Sequence, residues 1–169
     1  MLIDKLEILK HREISKNVRT TKINPFIEDS QFLDLKPLLG DAFYVDLIKN
    51  QTEVKYIELL DGKEYDYDGK TYSFAGLKKI LSIFADARYK AFGNYTDTSF
   101  GLTEKESSNS KNASKEERKE IYIKNRETAY AYFNDLKKFL NRNTATYALW
   151  DSQTVKKPYN GLKIYKISI

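Results

Sequence analysis

The sequence contains no cysteine and a single histidine, His11. Without cysteine there is neither a disulfide framework nor a thiolate metal site, and one histidine excludes a multi-histidine cluster. Ser-His-Asp chemistry is left with one poor candidate, because His11 is flanked by Lys10 and Arg12. Seven glycines leave little material for phosphate-cradling loops, and no GxxxxGK[ST], GxGxxG, GxSxG or HExxH motif occurs. No apolar run approaches the roughly 18 residues of a membrane span. Charges interrupt the opening MLIDKLEILK, so no signal-peptide core is expected. These gaps leave a soluble, intracellular-type chain without evident catalytic groups, cofactor or metal.

What is present is charge in blocks and 13 tyrosines among 169 residues. Residues 1–22 carry six Lys/Arg against three Asp/Glu, and residues 23–68 carry four against eleven. Residues 69–169 reverse the sign, with nineteen against ten. A nucleic-acid module concentrates base on one face, so the acidic middle argues against simple nucleic-acid binding. Solvated faces of alternating sign explain the blocks without function. Self-complementarity between copies explains them with one, since matched charge sets register and encounter rate.

The length fits one domain, and the apolar spacing points to a mainly α fold: a helical bundle with one β-hairpin and a C-terminal extended or strand-like tail. Leu2, Ile3, Leu6 and Leu9 predict a short N-terminal helix, followed by an extended arm to residue 22. The helical domain spans 23–150. It starts with a stripe of Phe26, Ile27, Phe32 (with Leu33) and Leu35, with Pro25 in a first-turn position. Asp41 reads as the N-cap of a helix over Phe43–Ile48 that Asn50 ends, and Thr52 as the cap of another carrying Val54, Ile57, Leu59 and Leu60. Residues 76–93 and 114–140 read as two long helices, the second opened by a Ser114/Glu117 capping box. Residues 144–169 read as a tail, of which 151–169 form the extension beyond the domain.

The clearest local signal lies at 63–74. Asp68-Gly69 supplies two positive-φ positions for a type I′ turn, which pairs Tyr65 with Tyr72 across the strands. The hairpin could pack on its own domain or protrude toward a neighbour. Residues 94–112 are rich in Ser, Asn and Thr, with Phe100 and Leu102 as apolar anchors, and read as either a flexible loop or a region ordered by a partner. The run LKIYKISI at 162–169 is strand-like, and either adds to a sheet edge of a neighbouring copy or pairs with the 63–74 hairpin of its own chain. Carboxylates at Glu64/Asp66/Asp68 and Glu116/Glu117/Glu120 suit hairpin solubility and the positive end of a helix dipole better than metal or acid/base chemistry.

Three stretches together resemble a known family. INPFIEDSQFLDLKPLLGDAFYVDLIKN (23–50), YDYDGKTYSFAGLKKILSIFADARY (65–89) and KKFLNRNTATYALW (137–150) are similar to head–tail connector (adaptor) proteins of tailed phages and prophages of Bacteroidetes-type hosts. The resemblance covers about residues 1–150 and carries over no catalytic or cofactor residue. It implies a virion structural protein made in the host bacterial cytoplasm. There it would form a ring of about twelve copies under the portal, because a heterologous interface closes when its rotation does. DNA would pass through that ring without sequence-specific contact, and tail or further neck proteins would dock on it. Tyr65, Tyr67, Tyr72, Phe100, Leu102, Leu162, Ile164 and Ile167 are the expected assembly contacts. Two other functions fit the residues less well. One is a nucleic-acid-binding accessory protein of a phage or prophage using Lys78, Lys79, Arg88, Lys90, Lys115, Arg118 and Lys119. The other is a protein that binds a host target.

Overall fold

A computed structural model describes residues 1–99, 101–104 and 112–151. Among them the elements run α1 (Lys5–His11), α2 (Thr20–Asp29), a π-helical stretch (Ser30–Leu35), α3 (Lys36–Leu39), α4 (Asp41–Lys49), α5 (Val54–Asp61), β1 (Lys63–Tyr67), β2 (Lys70–Phe74), α6 (Gly76–Phe92), β3 (Tyr95–Thr98), β4 (Gly101–Glu104) and α7 (Lys115–Arg142). The fold is mainly α, as the spacing of apolar residues requires.

The antiparallel pair α6 and α7 forms the spine. Lys79 lies over the Tyr132 ring at 4.3 Å, Phe84 meets Tyr130 at 5.3 Å, and Phe92 meets Tyr122 at 5.8 Å. These contacts run in opposite directions along the two helices, so residue 92 of α6 ends level with residue 122 of α7. With 17 and 28 residues, the helices measure about 26 and 42 Å at 1.5 Å per residue. Both ends of α7 therefore overhang its partner, and each overhang is met by a hairpin.

Local chemistry explains most element ends. Ser114 accepts the Glu117 amide while the Glu117 carboxylate accepts the Ser114 amide, so the capping box forms as expected. Asp4 caps α1 by accepting from the Glu7 amide at 2.9 Å. β1 and β2 pair in the expected register, Tyr65 opposite Tyr72, with Asp68 and Gly69 at φ of 52° and 69°. Gly62 and Gly76 close the hairpin's base: a Cβ on Gly62 would lie 2.5 Å from the Phe74 carbonyl, and one on Gly76 2.5 Å from the Leu60 carbonyl. Only glycine allows α5 and α6 to approach so closely there.

The structure corrects several expectations. Within the expected loop, Tyr95–Thr98 and Gly101–Glu104 form a second antiparallel pair, Tyr95 opposite Glu104 and Thr98 opposite Gly101. Pro25 lies inside α2, which begins five residues earlier at Thr20, within the expected arm. Ile14 of that arm is buried. Gly40 rather than Asp41 precedes α4, and Glu53 rather than Thr52 precedes α5. Phe32 and Leu33 are exposed because the wider π turn shifts the buried side onto Ser30, Gln31, Asp34 and Leu35. Val54 and Ile57 are exposed as well. Two residues of the expected tail, Tyr147 and Trp150, belong to the core: both are buried against Phe43, with Tyr147 also against Phe139 and Trp150 against Phe133.

Candidate functional site: the two ends of the long helix

At its C-terminal end, α7 is built into the molecule. Phe139 stacks on Phe74 at 4.4 Å and meets the edge of Tyr65 at 4.9 Å. Tyr65 and Tyr72 stack at 5.7 Å. The Arg142 guanidinium covers them, 4.0 Å from the Tyr72 ring centre and 4.4 Å from that of Tyr67, and donates to the Tyr65 hydroxyl at 3.0 Å. Burial works against the Arg142 charge, but its interactions with Tyr65 and Tyr72 together outweigh it and hold its pKa above the ordinary arginine value. The three tyrosines expected as contacts are thus one cluster on their own domain, with Tyr67 as its most exposed member.

The middle of α7 holds a buried charge cluster that crosses the bundle. Asp34, on the π-helical stretch, is 1% exposed and receives Nε and Nη2 of Arg88 at 2.7 and 3.1 Å, together with Nη1 of Arg126. Arg126 also donates to the Tyr130 hydroxyl at 2.8 Å and lies against the Phe84 and Tyr122 rings. Burial disfavours both guanidinium charges, yet Asp34 outweighs it and holds both above the usual arginine value. A second buried carboxylate is less well served. Asp86 is 0% exposed and accepts from Lys90 and Asn125, each at 3.0 Å, while its Oδ1 has no partner. Burial lifts its carboxyl above the usual range, against the pull of Lys90 and Arg12.

The N-terminal end of α7 is different. From Lys115 to Asn125 only Arg118 is buried, donating to the Tyr95 hydroxyl of β3 at 3.1 Å and packing on its ring. Ile121, Ile123 and neighbouring Phe92 remain 38%, 44% and 44% exposed. A second exposed apolar set lies at the opposite end of the spine: Val54 and Ile57 on one side of α5, and Leu149. Tyr147 ties that region to α7, donating its hydroxyl to the Lys55 carbonyl at 2.9 Å and packing on Phe139. Burial pushes the Tyr147 hydroxyl up to about 12, so it remains a donor throughout the neutral range.

Of the basic residues considered for nucleic acid, five are engaged within the fold. Lys78 pairs with Asp61, Lys90 with Asp86 and Arg88 with Asp34, while Lys79 and Arg118 lie on tyrosine rings. Lys115 and Lys119 are exposed. His11 pairs with Glu7 at 3.1 Å. Among the described residues no group of three or more His, Cys, Asp or Glu side chains is placed to hold a metal ion. No described helix is long and apolar enough to cross a membrane. Phe100, the side chain of Leu102, and Leu162, Ile164 and Ile167 lie outside the described residues.

Fold and site together define a mainly α domain on a two-helix spine, with exposed apolar groups at both ends. The chain belongs to a family of unknown function (DUF6712), whose pattern matches residues 35–160, about three quarters of its length. No curated protein and no solved structure matches it.

Proposed function

We propose that this chain is a structural subunit that assembles head to tail, as the head–tail connector of a tailed phage or prophage. One observation carries the reading: among the exposed apolar residues, different groups lie at the two ends of the α6–α7 spine. An isologous dimer needs one self-complementary patch, whereas a ring needs two different patches that meet each other. The α7 overhang of one copy, with Ile121 and Ile123 on its two flanks, would be covered by Val54, Ile57 and Leu149 of the next. The Asp34 cluster keeps the spine rigid between them, so the angle at each contact repeats and the ring closes.

In that ring the subunit sits between portal and tail, DNA passes through the channel without sequence readout, and the β3–β4 hairpin is free to meet neck components. The resemblance at 23–50, 65–89 and 137–150 supports the phage setting. Co-expression with the portal protein of the same genome, followed by negative-stain imaging, tests the proposal. A closed ring on the portal that is lost on replacing Ile121 and Ile123 by serine supports it. A chain that stays monomeric and never joins the portal removes it. Salt-dependent retardation of DNA with a slope of several phosphates would favour the nucleic-acid accessory protein instead.

A further inference from the structure

We propose that the free edge of β1 takes a third strand from this chain's own residues 162–169. In an antiparallel pair, residues alternate between exchanging backbone hydrogen bonds and turning those groups away. A two-residue turn makes Tyr67 and Lys70 an exchanging pair, so Tyr65–Tyr72 is one too. Glu64 and Asp66 then turn their N–H and C=O groups away from β2. No other strand flanks β1 among the described residues, and no described backbone group answers Glu64 or Asp66. The carboxylates of the same two residues stand on the exposed face, opposite the tyrosine face packed against α7, and Thr71 donates to that of Asp66 at 2.7 Å.

An open edge invites a strand, and its side chains select which one. Two copies of this edge would set Glu64 and Asp66 against each other, which like charge disfavours. Residues 152–169 offer the complement, with Lys156, Lys157, Lys163 and Lys166 and no Asp or Glu. Lys163 and Lys166 are three apart, so a strand places them on opposite faces. Whichever face turns outward, one lysine shares it with Glu64 and Asp66, while Leu162, Ile164, Tyr165, Ile167 and Ile169 supply the apolar contacts.

The geometry favours the chain's own tail. The described fold ends one residue after Trp150, and nearby Tyr147 packs on Phe139, the ring that carries Phe74 and Tyr65 of the sheet. Residues 152–161 can span about 33 Å when extended, well over the length of a five-residue strand. A tether that short gives an effective concentration in the millimolar range, above that of a second copy in dilute solution.

Amide exchange on the full chain, with and without residues 152–169, tests this directly. The expected result is about tenfold faster exchange at Glu64 and Asp66 after truncation. E64K/D66K should cause the same loss in the full chain, and K163E/K166E added to it should restore protection; this arm decides the matter if truncation disturbs folding. Carbodiimide cross-linking of an equal mixture of ¹⁴N and ¹⁵N chains identifies the donor. Hairpin–tail links within one isotope are expected. Mixed-isotope links at the statistical ratio, or no hairpin–tail links with unchanged exchange, overturn the proposal. Neither result bears on ring formation, which is read separately on the portal.

Discussion

The two ends of α7 use the same device to different extents. Each overhangs α6, and each meets a hairpin through an arginine set on tyrosine: Arg142 over Tyr65, Tyr67 and Tyr72, and Arg118 on Tyr95. At the C-terminal end the arginine only covers a packed interior of Phe139, Phe74 and Tyr147. At the N-terminal end no such interior lies beneath it among the described residues, and Ile121 and Ile123 are exposed. Cation–π contacts at exposed sites contribute about 0.5–1 kcal/mol each, against roughly 1.5–3 kcal/mol for burying a large apolar side chain. The difference teaches that one end is fastened by apolar burial and the other only positioned, which suits a surface awaiting a partner.

The largest expected effect breaks the fastened end. Phe139→Ala removes the ring joining the hairpin to Tyr147 and should cost about 3–5 kcal/mol in urea unfolding. A loss below about 1 kcal/mol would mean that the β1–β2 hairpin is not part of the cooperative core. Next comes the middle of the helix, where Asp34→Asn leaves two guanidiniums without a counter-charge in the interior. Breaking a buried pair in this way should cost about 3 kcal/mol. If instead the variant matched the parent, the partly exposed Arg88 and the buried Arg126 would be solvated without Asp34.

A smaller effect compares the two buried carboxylates. Because burial raises the folded-state pKa of Asp86, its protonated form favours the fold. That stability is fully present below the unfolded value of about 3.9 and is lost as pH rises through the raised folded value. Asp86→Asn does not titrate, so its urea midpoint relative to the parent should improve as pH climbs through that window and then level off. The same difference at pH 3 and pH 7 would show that Lys90 and Arg12 fully offset the burial of Asp86.

Which parts of this were legible in the sequence follows from the range of the interactions. The Tyr65–Tyr72 register and the Ser114 cap could be read because Asp68-Gly69 and Ser114/Glu117 act over a few residues. The Asp34 cluster could not, because Arg88 and Arg126 lie 54 and 92 residues away and single charged residues carry no period. The exposed face at Phe32 and Leu33 depends on one wide helical turn, which hydropathy spaced for α-helix hides. In the candidate site, the tyrosines were visible as a group but their cover, Arg142, was not. The exposure of Ile121 depends on how α7 docks on α6, with Tyr122 rather than Ile121 turned onto Phe92, a fact about a different helix. Residues 95–98 combine small polar side chains with one tyrosine, too little hydropathy to announce a strand.

The smallest expected change in folding stability decides what the open end is for. Ile121→Ser replaces a side chain that is 38% exposed, with Ser114, Glu117, Glu120 and Lys124 around it. Surface substitutions of this kind usually stay within about 0.5 kcal/mol, so the urea midpoint of the isolated chain should hardly move. Association should respond differently, because the same isoleucine is fully desolvated once a neighbour covers it. Light scattering across a concentration series, on parent and variant, separates the two effects. Weakened association at unchanged stability fits a surface kept apolar for a partner. If stability falls instead, the helix end is part of the core after all, and the contrast between the two ends of α7 is lost.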